Sequence, residues 1–226
     1  MQPGNFVFDI ATWLIPLVVA IVLHEISHGW VANAFGDPTA RDLGRLSPNP
    51  IRHIDPMGTI VLPLFLAVAG APVFGWAKPV PVVARRLRNP RFHMMLVAMA
   101  GPATNLLLAL FAVLALAAAG PAVAPSSQGG AFLLANLKNF VVINVFLAIF
   151  NLLPIPPFDG SHVVEGLLPR PLAKRYAKFG KYGFLLLILL LVVVPSIWPR
   201  LNLVQWIVVP PVQAVLGFFL GLAGLA

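Results

Sequence analysis

The chain contains no cysteine, which excludes disulfides, thiolate metal ligands and a cysteine nucleophile together. Charge is almost as scarce: 10% of its 226 residues are Asp, Glu, Lys or Arg, while 59% are hydrophobic. With a mean hydropathy of +0.91, this composition cannot cover the surface of a soluble domain and points to an all-α integral membrane protein. Acidic residues are rarest, 7 against 15 basic, giving a net charge of +8. That excess reads as lysines and arginines held on the cytoplasmic side of a bilayer. Nucleic-acid binding fits less well, because the basic residues flank apolar spans without interleaved aromatics. A cleavable signal peptide is not expected: Met1–Ile10 has no basic leader, and the first apolar stretch carries the motif discussed below. No internal repeat is evident, and residues 1–226 read as a single membrane-embedded domain.

Proline is abundant, with 23 residues, and it punctuates six apolar segments. The first runs from about Ile10 to Phe35 and stops at Gly36-Asp37-Pro38. The second, about Met57 to Phe74, opens at Asp55-Pro56, a cap and first-turn proline, but is interrupted by Pro63 and Gly70-Ala71-Pro72. The third runs from Asn89-Pro90 to Gly120-Pro121, and the fourth from about Ala131 to Leu153 before Pro154, Pro156 and Pro157. The fifth covers about Tyr182 to Trp198 and the sixth about Leu203 to Leu225. Loop charge orders them. Arg41, Arg45 and Arg52 follow the first segment, Lys78, Arg85, Arg86, Arg88 and Arg91 the second, and Arg170, Lys174, Arg175, Lys178 and Lys181 the fourth. Residues 121–130 carry no charge. The positive-inside rule then puts the basic loops in the cytoplasm and the uncharged one outside. The second segment, basic on both flanks, is expected to be a re-entrant or extended element, which survives at membrane depth only against protein or a wet cavity. Five spans with the N-terminus outside result, the sixth segment having the alternative of lying in the interface.

Inside the first span lies His24-Glu25-Ile26-Ser27-His28. Residues four apart on a helix sit about 40° apart around its axis, so both imidazoles can reach one ion. Glu25 lies about 100° round from His24, near enough to act on a water beside that ion. Two histidines four apart can also arise as a packed polar face. Against that, a mid-span carboxylate costs about 2.5–3.5 kcal/mol on insertion scales and marks function. A catalytic zinc wants a third protein ligand. Asp9 reads as a cap, Asp37 and Asp42 as turn residues, and Asp55 as a cap. Asp159 differs: it follows the prolines that end the fourth segment, at the same inner depth as His24 and His28.

These motifs together resemble site-2 proteases, the M50 family of intramembrane zinc metalloproteases, in minimal form without PDZ or CBS domains. The resemblance runs from His24 to Gly160 and beyond. It takes in HEISH, Leu43–Pro50, His53–Thr59, Gly75–Val82, Ala100-Gly101-Pro102-Ala103-Thr104-Asn105, and Asn151-Leu-Leu-Pro-Ile-Pro-Pro-Phe-Asp159-Gly160. It implies one zinc ion per chain held by His24, His28 and Asp159, Glu25 as general base, and Asn151 as a polar helper near the scissile carbonyl. The chain departs from the family pattern at His162, in place of an arginine, and His162 reads as a loop residue. The implied substrate is a transmembrane helix of a single-span protein or a signal-peptide remnant, cleaved in a prokaryotic cell membrane towards the cytoplasm.

Other positions carry weaker expectations. Gly75–Val82, with Pro79 and Pro81, favours extended backbone: either an edge for an unwound substrate or a stiff connector anchored by Trp76 and Lys78. Asn105 reads as an interhelical hydrogen bond or a polar neighbour of the site, with the first favoured. His53 and His93 read as loop or cap residues, and Gly101 and Ala103 as packing positions. Two rivals remain: a metal transporter using His24, His28 and Asp159 as a transit site, and an inactive homologue that binds membrane proteins. The absence of a second ligand cluster in the sequence weighs against the transporter.

Overall fold

The computed structural model describes residues 3–68, 75–119, 123, 127–198, 200–202 and 204–225. All its regular structure among these residues is helical. Helix α1 (Pro3–Ala34) is followed by a short helix α2 (Leu62–Val68) that continues a π-turn at Pro56–Val61. Then come α3 (Pro90–Ala119), α4 (Gln128–Asn151) and α5 (Asp159–Leu167). Two further helical runs close the chain, α6 (Arg170–Ile197) and α7 (Val204–Leu222). Five of these, α1, α3, α4, α6 and α7, are long and apolar enough to cross a membrane. The protein is therefore a multi-pass membrane protein; the described part of the second apolar segment, 56–68, is shorter than these five helices. The end of that segment at residues 69–74, the Gly120-Pro121 stop and most of the uncharged loop lie outside the described residues.

Local chemistry sets the helix ends. Gly36 adopts φ +108°, which suits glycine, and Gly36 N donates to Asn33 O (3.2 Å) while Asp37 N donates to Ala32 O (2.9 Å). This pair of bonds closes the last turn of α1. Asp55 caps as expected, accepting from Gly58 N at 2.8 Å. Asp9 does not cap α1: the helix already starts at Pro3, and Asp9 lies inside it with its carbonyl accepting from Thr12 Oγ1.

Helices α1, α3 and α4 pack against one another, and α5 lies along α3. Their interface is lined by small and branched apolar residues, Ala20, Ala109, Val113, Val141 and Val145, all buried. Where lipid is as apolar as leucine, such small side chains let helices approach and gain van der Waals contact. The polar groups Thr12, His24, Ser27, His28, Asn105 and Asn144 are buried with them. Asn139 Nδ2 donates to Thr12 O at 2.9 Å and ties α4 to α1.

No strand forms among the described residues, and residues 75–83 have no regular secondary structure. Backbone and side-chain bonds pin this segment to the end of α1. Asp37 is the hub: its carboxylate accepts from Val83 N (2.5 Å), Thr39 N (3.1 Å) and Thr39 Oγ1. Arg45, buried, donates Nη2 to Lys78 O at 2.8 Å. Trp76 N donates to Gly58 O, and the Trp76 ring meets Phe184 of α6 edge-on at 5.2 Å. Burial alone would raise the Asp37 carboxyl, but the bonds from Thr39 and Val83 and the Arg86 charge outweigh it and hold it below the usual carboxylate range.

Candidate metal centre

Asp159 Oδ2 lies 3.2 Å from His24 Nε2 and 3.4 Å from His28 Nε2, and the two Nε2 atoms are 3.1 Å apart. Two pieces of local structure bring the three together. The i, i+4 spacing stacks both imidazoles on one face of α1. The proline-rich turn after α4 then folds back so that Asp159 becomes the first residue of α5. Gly160 permits that turn, because a Cβ there would run into the backbone of Leu152 and Leu153. Tyr176 Oη, donating to Pro154 O at 2.8 Å, holds the turn from α6.

The arrangement fits a metal ion better than a set of ion pairs. His28 Nδ1 lies 2.7 Å from Val97 O, a carbonyl that can only accept, so Nδ1 carries the proton and the Nε2 lone pair faces inward. Asp159 Oδ2 is itself buried without a hydrogen-bond partner. Donors about 2.0–2.1 Å from one ion at tetrahedral angles stand about 3.3–3.4 Å apart. The three separations of 3.1, 3.2 and 3.4 Å match the edges of such a tetrahedron. Two imidazoles and a carboxylate suit zinc and leave a fourth position for water or substrate. Among the described residues this is the one cluster of three or more His, Asp or Glu side chains with that geometry.

Around the cluster lie groups that sequence reading left out or undervalued. Glu25, half-buried beside the histidines, accepts from Val80 N at 2.8 Å through Oε2, so the segment 75–83 reaches the candidate base. Gly101 is more than a packing position: a Cβ there would collide with both imidazole rings. Asn105 Oδ1 sits 2.5 Å from His24 Nδ1, so of its two expected roles it fills both, bonding between helices and touching the site. The signal was present, since an asparagine in mid-span needs a partner, and it held for Asn144 of α4 as well; the backbone groups of Val97 and Val80 gave none.

The outlying candidates fall elsewhere. Asn151, the last residue of α4, donates Nδ2 to Leu147 O at 2.9 Å, on its own helix. His162 is not a loop residue: it lies in α5, with Nδ1 3.7 Å from Glu165 Oε2 one turn on. His93 Nδ1 accepts from Asn89 N at the start of α3, and its ring stacks on Phe35 at 4.1 Å. His53 is buried, with Nε2 2.9 Å from Ser47 O.

Comparison with known proteins gives the family. The family model "Peptidase family M50" matches residues 122–191, which include Asn151 and Asp159. Three relatives carry the name "Putative zinc metalloprotease". YwhC of Bacillus subtilis is 38% identical over 195 residues, covering 84% of this chain and 85% of that protein. Rip2 of Mycolicibacterium smegmatis is 33% identical over 209 residues, 90% and 73% of the two chains. Rip2 of Mycobacterium tuberculosis is 35% identical over 195 residues, 86% and 70% of the two chains. The chain belongs to peptidase family M50. No solved structure matches it. As a family M50 member it is a membrane metallopeptidase of the site-2 protease kind. Family, relatives and the donor set of His24, His28 and Asp159 agree on zinc as its cofactor.

Proposed function

We propose that this M50 peptidase hydrolyses peptide bonds within or next to transmembrane helices of single-span proteins or signal-peptide remnants, as in regulated intramembrane proteolysis. One observation carries the reading: a three-donor cluster of tetrahedral spacing, with a carboxylate on the adjacent helical position, sits among helices long enough to cross a membrane. His24, His28 and Asp159 would hold the zinc. When bound, the ion supplies a Lewis acid that polarises a carbonyl and makes water a competent nucleophile at neutral pH.

Glu25 takes the proton of the attacking water and passes it to the leaving amine. Its Oε2 is held by Val80 N–H, which fixes the plane of the carboxylate and leaves Oε1 for the proton. Asn151 serves the scissile carbonyl only after releasing Leu147 O, a one-bond rearrangement at the end of α4. The substrate helix must unwind to expose its amide. The basic residues of the loop after α1 and of the first turns of α6, where Arg170 to Lys181 are helical and not in a loop, support an active site turned to the cytoplasm, in a prokaryotic cell membrane.

Glu25→Gln is the test. The purified variant in detergent is expected to bind zinc at one ion per chain and to lose cleavage of a model single-span substrate by about 100-fold or more. Unchanged cleavage sinks the role of Glu25. Zinc uptake into proteoliposomes by the parent protein, with no cleavage of any membrane substrate, replaces the protease by a transporter.

A further inference from the structure

We infer that Asn105 and Asn144 form a directional hydrogen-bond relay that holds His24 in the one tautomer able to bind metal, making both asparagines positioning residues for the zinc site. The inference rests on the reading of His24 as a metal ligand. The two histidines are held differently. His28 faces a backbone carbonyl, whose polarity is beyond question. His24 Nδ1 faces a side-chain amide, which could present either its oxygen or its nitrogen. With the nitrogen inward, His24 would have to accept at Nδ1 and carry its proton on Nε2, pointing it at the metal position.

The neighbours decide which end faces His24. Asn144 Nδ2 lies 2.8 Å from Phe140 O, an acceptor only, so the nitrogen end of Asn144 points there. Its Oδ1 is then left facing Asn105 Nδ2 at 2.7 Å and must accept. Asn105 Nδ2 also lies 3.4 Å from Ala20 O on α1, again an acceptor only. Two backbone carbonyls on different helices, Phe140 O on α4 and Ala20 O on α1, thus impose the same polarity. Asn105 Oδ1 is forced towards His24, Nδ1 donates, and the Nε2 lone pair turns to Asp159 and His28. Asn105 and Asn144 are both fully buried, so no water competes for these bonds. Reversing either amide would set oxygen against oxygen inside an apolar bundle, with no solvent to relieve it.

The relay crosses three helices and places its anchor one turn before Asn144, remote from the metal position. A purely structural role would cost stability without touching the metal, so the two effects must be separated. Leucine keeps the branched four-atom outline of asparagine, though it is bulkier, and is welcome between membrane helices. Asn105→Leu is therefore the informative change when set against the same substitution elsewhere in the interface. Asn139→Leu is the control, since it removes another asparagine bond between α4 and α1, the one to Thr12 O.

Zinc affinity of the purified full chain in detergent is measured by chelator competition, and thermal stability on the zinc-free protein. Asn105→Leu is expected to bind zinc about 10–100-fold more weakly. Asn144→Leu is expected to weaken it less, in the same direction, and Asn139→Leu to change stability alone. Unchanged zinc affinity in folded Asn105→Leu overturns the relay, as does an equal loss in Asn139→Leu. Should Asn105→Leu fail to fold, nitrogen-15 NMR of the parent's zinc-free histidines still decides: His24 protonated on Nδ1 supports the relay, and on Nε2 overturns it. None of these readouts uses proteolysis. A protein that binds zinc through the relay but cleaves nothing fails the proposed function and keeps this inference.

Discussion

The three-helix unit of α1, α3 and α4 and the C-terminal pair α6 and α7 are all apolar enough to cross a membrane but are built for different neighbours. In the first unit 22–28% of each most apolar window is buried within the protein; in α6 and α7 the shares fall to 11% and 17%. The first unit packs through alanine and valine and buries histidines and asparagines. Leucines dominate α6, and Leu185 and Leu189 are exposed. An apolar face gains little by leaving lipid for protein, so hydrophobicity cannot sort the two units. What sorts them is polar content: side chains that lipid cannot satisfy draw α1, α3 and α4 together, and the metal site sits where those side chains meet.

That contrast can be broken most severely at the metal ligands. Asp159→Ala and His28→Ala are each expected to abolish stoichiometric zinc binding and all cleavage, measured by metal analysis and a membrane-substrate assay; retained zinc in both would dissolve the assigned centre. Next in size is Gly101→Ala, one methyl group added to the first unit. The added Cβ has to displace both imidazoles. Overpacking of this kind costs about 1–3 kcal/mol, with zinc affinity falling alongside the thermal midpoint.

A smaller effect is expected at the loop hub. Asp37→Asn keeps the shape but replaces one acceptor oxygen by a donor facing Val83 N or Thr39, which leaves a buried donor unmatched at about 1–3 kcal/mol. The sign with pH follows from the lowered carboxyl. Its folded-state value lies below the ordinary 3.8, so its stabilisation is complete above that value and is lost as pH falls through the folded one. Acid unfolding of the parent should therefore steepen below about pH 3.8 relative to Asp37→Asn; identical acid limbs would remove Asp37 as a hub. The smallest change is expected in the C-terminal pair. Leu185→Ala, on the exposed face of α6, should move stability by no more than about 0.5 kcal/mol, and a large loss would show that α6 is packed like the first unit.

Much of the site was legible before the fold. His24, Glu25 and His28 are placed relative to one another by the pitch of one helix, and their presence in an apolar run already demanded a purpose. Asp159 was reachable through loop charge, which put two distant segments at one depth, and the resemblance to site-2 proteases named it. Asp9 and His162 were misread for one reason: both lie within a turn or two of a proline-marked helix start, and sequence locates such starts to within a few residues at best.

The amino-acid sequence by itself determined a helical membrane protein, its spans, and a metal motif on the first of them, because hydropathy and a 3.6-residue period act locally. Only the tertiary structure decided what stands behind the metal. Val97 O facing His28, Val80 N facing Glu25, and the path from Phe140 through Asn144 and Asn105 to His24 all depend on how helices are rotated and crossed. A backbone carbonyl or amide looks the same at every position of a sequence. Which one meets an imidazole or a carboxylate is settled when four segments distant along the chain pack, and a buried polar group can be satisfied only by what that packing brings within about 3 Å.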